Sequence, residues 1–433
     1  MKRFFWFGGF FFFMLVAAVP NCAGVQFYFT PTASVRQEFT DNLHKELDQK
    51  EHEFITSVSA GFSLQAVEKR KGLQISYNPG MSHYARFSGN DSLRHMAQFS
   101  GWADLSRRTS MEISDVFSYS EAAREDEDNT DSAVSQASVR KGLTPYYTNT
   151  SSIKLNHKFN RLDSMNLQYA YTLTENDDPL KEDNQNHASS VNFTWWVMPN
   201  LLSLKSMISH TRGDFSDETD DFDSFHANIG ITKKFGRHAG LVLNYDFIRM
   251  DFSGETEDYR IHNPSAGFNL AFSPDTSISL RTGWLFEQRD ISEDDGRQTV
   301  AGDIVKNWNY KRGSVSIKGS SGYTQSYFDD EYLGFGLYKS VNANAVWNIT
   351  RRLMTGINVS YRKDSYIEAD VNKKDRSFGT GIFFAWKPLT YLSFQLKYDF
   401  RRVDSTESEE EYKENRVMID LMISPSVPFR PGR

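Results

Sequence analysis

The sequence predicts an all-β fold: a transmembrane, antiparallel, up-and-down β-barrel of about 20 strands, within roughly 18 to 22. Three observations carry this. Apolar residues alternate with polar ones along most of the chain, as in Phe54, Val58, Ala60, Phe62 and Leu64 against Ser57, Ser59, Gly61 and Ser63. Aromatic residues make up 14% of the chain, yet its average is hydrophilic. A barrel in lipid reconciles the two, because only alternate residues meet hydrocarbon and the rest face water. Finally, very short turns alternate with long polar loops, the asymmetry of outer-membrane barrels.

Residues 1–24 read as a secretory signal peptide. Lys2 and Arg3 precede an apolar stretch from Phe4 to Val19, and Cys22-Ala23-Gly24 supplies small residues for cleavage. That stretch is shorter than the ~20 residues a membrane helix needs, although an uncleaved anchor is the alternative. Cleavage removes Cys22, the only cysteine, so no disulfide or thiol chemistry is expected in the mature chain. Residues 25–433 then form a single barrel domain. The formal net charge of −7 argues against nucleic acid as a partner.

The mature chain opens with a strand from Gln26 to Phe39, followed by the polar stretch Asp41 to Glu53. Glu68-Lys-Arg-Lys71 turns the second strand into the third. Equivalent turns fall at Leu105–Met111, Phe159–Met165, Trp195–Leu202, Phe235–Leu241, Phe272–Ile278, Trp308–Val315 and Trp347–Leu353. The clearest unit is Thr380 to Phe400, where Lys387-Pro-Leu-Thr390 interrupts two alternating strands. A final strand runs from Arg416 to Ser424. Long acidic stretches, such as Glu125–Asp131, Asp214–Asp223 and Glu407–Glu411, separate the hairpins on the other side. An even strand number puts both termini on the short-turn side, expected to be periplasmic, with the acidic loops extracellular.

Because one-residue steps swap faces, parity assigns each side chain. Phe159, Trp195, Phe235, Phe272, Trp347 and Trp386 share parity with the apolar sets and form a lipid-facing girdle by the short turns. Phe117, Tyr171, Phe247, Phe286, Tyr361 and Phe400 form a second girdle at the other end. The opposite parity yields candidate pore-lining residues: Arg36, Glu38, Lys154, Lys205, Asp246, Arg281, Lys318, Lys397, Arg416 and Asp420. Both signs occur, so a wet lumen with little charge selectivity is expected. A lumen-filling ion pair without a transport role is the plain alternative for each. Trp102 and Trp196 are the aromatics noted on lumen parity.

No catalytic constellation emerges. The ten histidines are scattered, and no pattern brings one to a serine and an acid. Asp214–Asp223 lacks the glycine and terminal glutamate of a calcium-binding EF-hand loop. It reads as a solvated loop that divalent ions could bridge to lipopolysaccharide. No cofactor, metal or enzyme activity is expected.

Phe29-Thr-Pro-Thr-Ala-Ser-Val-Arg-Gln-Glu-Phe-Thr-Asp-Asn42, Leu105–Phe117 and Glu414–Pro425 with Pro428-Phe-Arg430 resemble the putative β-barrel porin 2 family. Within it the chain is most similar to the PEP-CTERM/exosortase, exopolysaccharide-associated outer-membrane barrels of Gram-negative bacteria. The resemblance implies an outer-membrane barrel without established catalytic residues. It departs from barrels generally at its end, Phe429-Arg-Pro-Gly-Arg433, which leaves the closing register open. Two function classes follow: a porin-like channel for small solutes or an exopolysaccharide export pore, and a non-conducting barrel that binds partners of an envelope secretion or polysaccharide assembly. The expected partners are membrane lipid, lipopolysaccharide and the barrel-assembly machinery, with polysaccharide or its export proteins in the export case. In the channel reading, the long loop from about Tyr119 to Tyr146 is the candidate constriction, on its length alone.

Overall fold

Twenty antiparallel strands form one sheet that closes on itself. The computed structural model describes residues 24–121, 143–179, 181–216, 219–273, 275–289, 299–328, 331–366 and 373–430. The expected signal peptide lies outside them, apart from Gly24. In order, the strands are β1 (Gln26–Thr40), β2 (Glu53–Val67), β3 (Lys71–Tyr84), β4 (Ser92–Asp104), β5 (Thr109–Ser120), β6 (Tyr146–Lys158) and β7 (Ser164–Asn176). There follow β8 (Asn184–Met198), β9 (Leu202–Phe215), β10 (Phe222–Phe235), β11 (Ala239–Phe252), β12 (Tyr259–Ser273), β13 (Thr276–Arg289) and β14 (Thr299–Tyr310). The last six are β15 (Gly313–Phe328), β16 (Glu331–Asn348), β17 (Leu353–Tyr366), β18 (Lys374–Leu389), β19 (Leu392–Ser405) and β20 (Tyr412–Ile423). Every strand pairs with its neighbours in sequence, so no strand edge is left for lipid to meet.

All nine expected short turns join the strands at one end, and local chemistry explains several. The hydroxyl of Ser106 accepts the amides of Arg108 and Thr109 at 3.1 and 3.0 Å. Asn160 Oδ1 does the same for Leu162 and Asp163 at 2.7 and 2.9 Å. Such side chains stand in for a backbone turn. Gly236, at φ 73°, supplies the left-handed step of the β10–β11 turn.

The barrel closes through Ala33–Thr40 of β1 against Arg416–Ile423 of β20, with Arg36 directly opposite Asp420. Arg36 Nε donates to Asp420 Oδ1 at 2.6 Å across this seam. Beyond β20 the chain breaks at Pro425 and Pro428, then resumes pairing. Phe429 exchanges both backbone hydrogen bonds with Phe29, at 2.9 and 2.8 Å. The closing register left open by the sequence is thus set by the seam and by this separate Phe429 bridge.

The outer wall follows the parity reading. Phe159, Trp195, Phe235, Phe272, Trp347 and Trp386 are all exposed beside the short turns. At the other girdle, rings cover one another: Phe117 lies against Tyr147, Tyr171 against His187, and Phe400 against Phe378. Three tyrosines there place their hydroxyls on histidine Nδ1 atoms: Tyr77 on His95 at 2.8 Å, Tyr169 on His187 and Tyr245 on His262 at 2.7 Å. Each pair gives an amphipathic ring a satisfied polar tip at headgroup level.

The long-loop end differs from expectation. Several acidic loop residues are committed to the backbone rather than left to solvent. Asp91 accepts the amide of Tyr84, Asp221 that of Phe215, and Asp258 that of Phe252, each at 2.7–2.8 Å. Each fastens the end of an ascending strand to the loop that follows it. The polar stretch after β1 also turns inward, where Asn42, Leu43 and Lys45 are buried.

Candidate functional site: the lumen and its mouth

Successive even and odd residues of each strand face opposite sides, so the lumen wall is built from every second side chain. At mid-height this wall is polar. Serine hydroxyls meet across strands, as in Ser34–Ser59 at 2.6 Å, Ser114–Ser152 at 2.7 Å and Ser320–Ser340 at 2.7 Å. Two cavities open along it. One of about 370 Å³ is lined by β15 to β20, and one of about 280 Å³ by β1 to β5 with β19 and β20.

Five of the ten candidate pore residues line these two cavities. Lys318, Lys397 and Arg416 line the larger cavity, where Lys397 Nζ lies 3.0 Å from Asp399 and Arg416 approaches the same carboxylate at 3.9 Å. Arg36 and Asp420 line the smaller one as an ion pair. Asp246 sits in a polar network with Asn228, Asn244 and His226. Lys154 stands in register between Glu112 and Gln168, and Lys205 between Thr194 and Gly230. Arg281 is opposite Gly267 on β12, on the same wall as Asp246. Glu38 is only 6% exposed and belongs to the mouth rather than to either cavity.

Parity carried further identifies residues the sequence reading passes over. Asp399 and Arg401 follow Lys397 at two-residue steps, and Arg362 follows the girdle residue Tyr361 by one. All three line the larger cavity with Glu414. Arg362 makes a two-pronged contact with Asp364 at 2.7–2.9 Å, and its guanidinium lies over the Tyr338 ring at 4.5 Å. Phe383 is another lumen ring. It covers Gly356 on β17 so closely that a Cβ there would collide with the ring. Trp102 covers Gly72 in the same way.

The interior of the long-loop end is not wet. Phe222, Ile248, Met250, Tyr259, Ile261 and Leu285 form a packed apolar cluster from β10 to β13, and Tyr323 and Leu337 of β15 and β16 pack against it. Met250 and Leu285 have no exposure at all. A lumen-facing side chain in an open pore would be wetted, so zero exposure means protein fills the space before it. A second cluster joins Leu43, Ile55 and Tyr84 with Phe87 and Leu143. Tyr366, Val403 and Tyr412 are buried at the same end. Expectation and structure differ here for a physical reason: above the membrane the outer face meets water, so polarity inverts. Along β11 the charged Arg249 and Asp251 point out, while Ile248, Met250 and Phe252 point in.

Ion pairs reinforce the mouth. Lys373 is 1% exposed and contacts Glu410 in the loop after β19, with its ammonium 5.5 Å over the Tyr366 ring. Burial holds the Glu410 carboxyl above its usual range despite the Lys373 ammonium. Tyr84 donates its hydroxyl to the buried Glu121 at 3.3 Å. The expected constriction, Tyr119 to Tyr146, lies largely outside the described residues. Its two described ends, Glu121 and Leu143, both pack into the mouth.

Comparison with known proteins agrees with this architecture. No curated protein matches the sequence. Among solved structures, the FrpB iron transporter from Neisseria meningitidis (F3-3 variant) is 12% identical, with a TM-score of 0.57 over 91% of this chain and 81% of that one. The siderophore receptor PirA from Pseudomonas aeruginosa is 10% identical, with a TM-score of 0.52 over 94% and 81%. A point mutant of the ferric enterobactin receptor PfeA, from the same organism, is 8% identical at a TM-score of 0.53, over 94% and 81%. At such identities the likeness is one of fold. A family model described as Putative beta-barrel porin 2 matches residues 21–166, which end just inside β7. The chain therefore has the closed β-barrel fold of these outer-membrane proteins, and over residues 21–166 it is similar to the Putative beta-barrel porin 2 family.

Proposed function

We propose that the barrel is a diffusion channel for small hydrophilic solutes, with a preference for anions. The observation that carries this is the cavity of about 370 Å³ on the lumen wall, lined by serines, asparagines and five basic residues against two acidic ones. Lys318, Arg362, Lys397, Arg401 and Arg416 give that wall a positive surplus, although Asp399 and Glu414 in the lining and Asp364 on Arg362 offset part of it. In a narrow low-dielectric passage such a surplus raises the local concentration of the opposite charge. The packed mouth acts as the size filter above this chamber.

In this reading residues 1–24 direct export, the barrel-assembly machinery inserts the chain, and the short turns with both termini face the periplasm. An exopolysaccharide export pore is the narrower alternative raised by the resemblance. A sugar chain would favour a continuous run of open lumen rings, but the inward rings on neighbouring strands, Phe222, Phe252 and Tyr259, are packed into the mouth cluster, and below it Trp102, Trp196, Tyr338 and Phe383 stand on β4, β8, β16 and β18. This favours small solutes. A non-conducting, partner-binding barrel is the other class.

Planar bilayers test the proposal. The purified barrel should give conductance steps, with a reversal potential displaced toward anions in a potassium chloride gradient. A closed record at every voltage would reject the channel in favour of the partner-binding barrel, and a cation-selective potential would reject the assigned field.

A further inference from the structure

Five neighbouring strands, β16 to β20, share a feature on the outer wall. Outward residues along each are mainly apolar or aromatic from the short turn upward, with Thr355 on β17 and Thr380 on β18 among them, and the series leads to a cation. On β16 the outward series Trp347, Ala345, Ala343, Val341 ends at Lys339, and on β17 the series Ile357, Val359, Tyr361 ends at Lys363. On β18, Phe378 is followed by Arg376, and on β19, Phe400 is followed by Arg402. On β20, Asn415 intervenes before Lys413. The register makes this one strip. Lys339 is opposite Lys363, Lys363 opposite Arg376, and Arg402 opposite Lys413, while Asp404, two residues beyond Arg402, stands opposite Arg376. Burial of the alternating residues confirms the facing: Ser340, Arg362, Asp375, Val403 and Tyr412 point inward and are buried.

The strip differs in its pairing from the rim at β9 to β11. On β9 to β11 the outward cations have local carboxylates: Arg212 with Asp214 at 2.8 Å, His210 with Asp223 at 3.0 Å and Arg249 with Asp251 at 2.8 Å. Among the described outward cations of β16 to β20, Arg402 alone is so paired, with Asp404 at 2.7 Å. Lys339, Lys363, Arg376 and Lys413 have no carboxylate partner among the described residues. Concentrating like charges on an otherwise acidic protein is unfavourable unless an anion answers them. Their height, one step above the apolar band, is where lipid headgroups lie.

We propose that this strip is a docking site for the phosphate groups of an anionic lipid headgroup in the leaflet at the long-loop end. The acyl chains would lie against Val341, Tyr361 and Phe378, while phosphates bridge Lys339, Lys363 and Arg376. Arg supplies a planar fork for phosphate and Lys a mobile point charge. The inference rests on the membrane-spanning reading of the outer wall, not on what the lumen conducts.

The test uses the full-length barrel in phosphatidylcholine vesicles, checked first for insertion by flotation. Retained lipid is counted by native mass spectrometry after addition of diphosphoryl lipid A or a phosphate-free glycolipid of equal chain length. The wild type should hold the phosphorylated lipid selectively. Combined Lys339→Gln, Lys363→Gln and Arg376→Gln should weaken it by about fivefold per charge, about a hundredfold together. Arg212→Gln with Arg249→Gln, on the self-paired side, should leave it unchanged. Heat-modifiable gel migration shows that each variant is folded. Equal retention by the wild type and the triple variant, or equal retention of the phosphate-free lipid, would overturn the site. Displacement of the lipid by micromolar inorganic phosphate would show a free-phosphate site and overturn the lipid assignment. Failure to float with vesicles before any charged lipid is added would instead refute the membrane reading.

Discussion

Truncating Leu285 and Met250 separates a packed mouth from an open one. Both side chains face the lumen, yet neither has any exposed surface, and both belong to the cluster spanning β10 to β13. If protein fills the space before them, Leu285→Ala or Met250→Ala should cost about 2–5 kcal/mol, the range for buried Leu or Met reduced to Ala. If that space were water, either change should fall within about 0.5 kcal/mol, as for surface substitutions. Urea unfolding of the barrel in detergent, followed by heat-modifiable migration, measures the difference. Because the two residues share a cluster, the double variant should depart from additivity by about 0.5–3 kcal/mol. Single-channel conductance should rise in the same variants, since removed side chains leave a wider mouth. A stability change under about 0.5 kcal/mol together with unchanged conductance would refute the packed mouth.

Two further outcomes test the wall and its closure. Trp386→Arg, on the lipid-facing girdle, should impair membrane assembly more than Lys397→Glu in the chamber, because a lipid-facing cation costs up to about 2–4 kcal/mol at mid-membrane and less toward the interface. Equal yields of folded barrel would break the parity assignment. Asp420→Ala removes the partner of Arg36 at the β1–β20 seam and should lower stability by about 1 kcal/mol, since the pair is only partly shielded. Arg36→Ala combined with it should cost little more. Additive losses would mean that the two side chains do not act as a pair.

The barrel wall is legible because the chain repeats one instruction many times. Trp195, Trp347 and Trp386 end strands at the same place, and alternation then assigns every residue between turns. The same rule names Lys318, Lys397 and Arg416 as chamber residues. It reaches Arg362 and Asp399 only when parity is followed past the girdle. The mouth is harder to read. There Ile248, Met250 and Phe252 alternate as regularly as a lipid face does, but on the opposite parity. The sign of the inversion is visible in Phe247-Ile-Arg-Met-Asp-Phe252, where charged residues take over the positions of the aromatic girdle. The inward turn of Leu43 and the carboxylate fastenings of Asp91, Asp221 and Asp258 have no such signal. They depend on which strand ends lie beside each loop, which only the closed register determines.

Cysteine accessibility tests the central claim, a wet chamber below a packed mouth inside a lipid-facing wall. Cys22 is the only native cysteine and precedes the barrel, so single cysteines report cleanly. In vesicles, a membrane-impermeant thiol reagent should label Asn344→Cys in the chamber. It should leave Ile357→Cys on the outer wall and Met250→Cys in the mouth unlabelled until the protein is unfolded. Labelling of Met250→Cys as fast as Asn344→Cys would contradict the packed mouth, and rapid labelling of Ile357→Cys would contradict the lipid-facing wall.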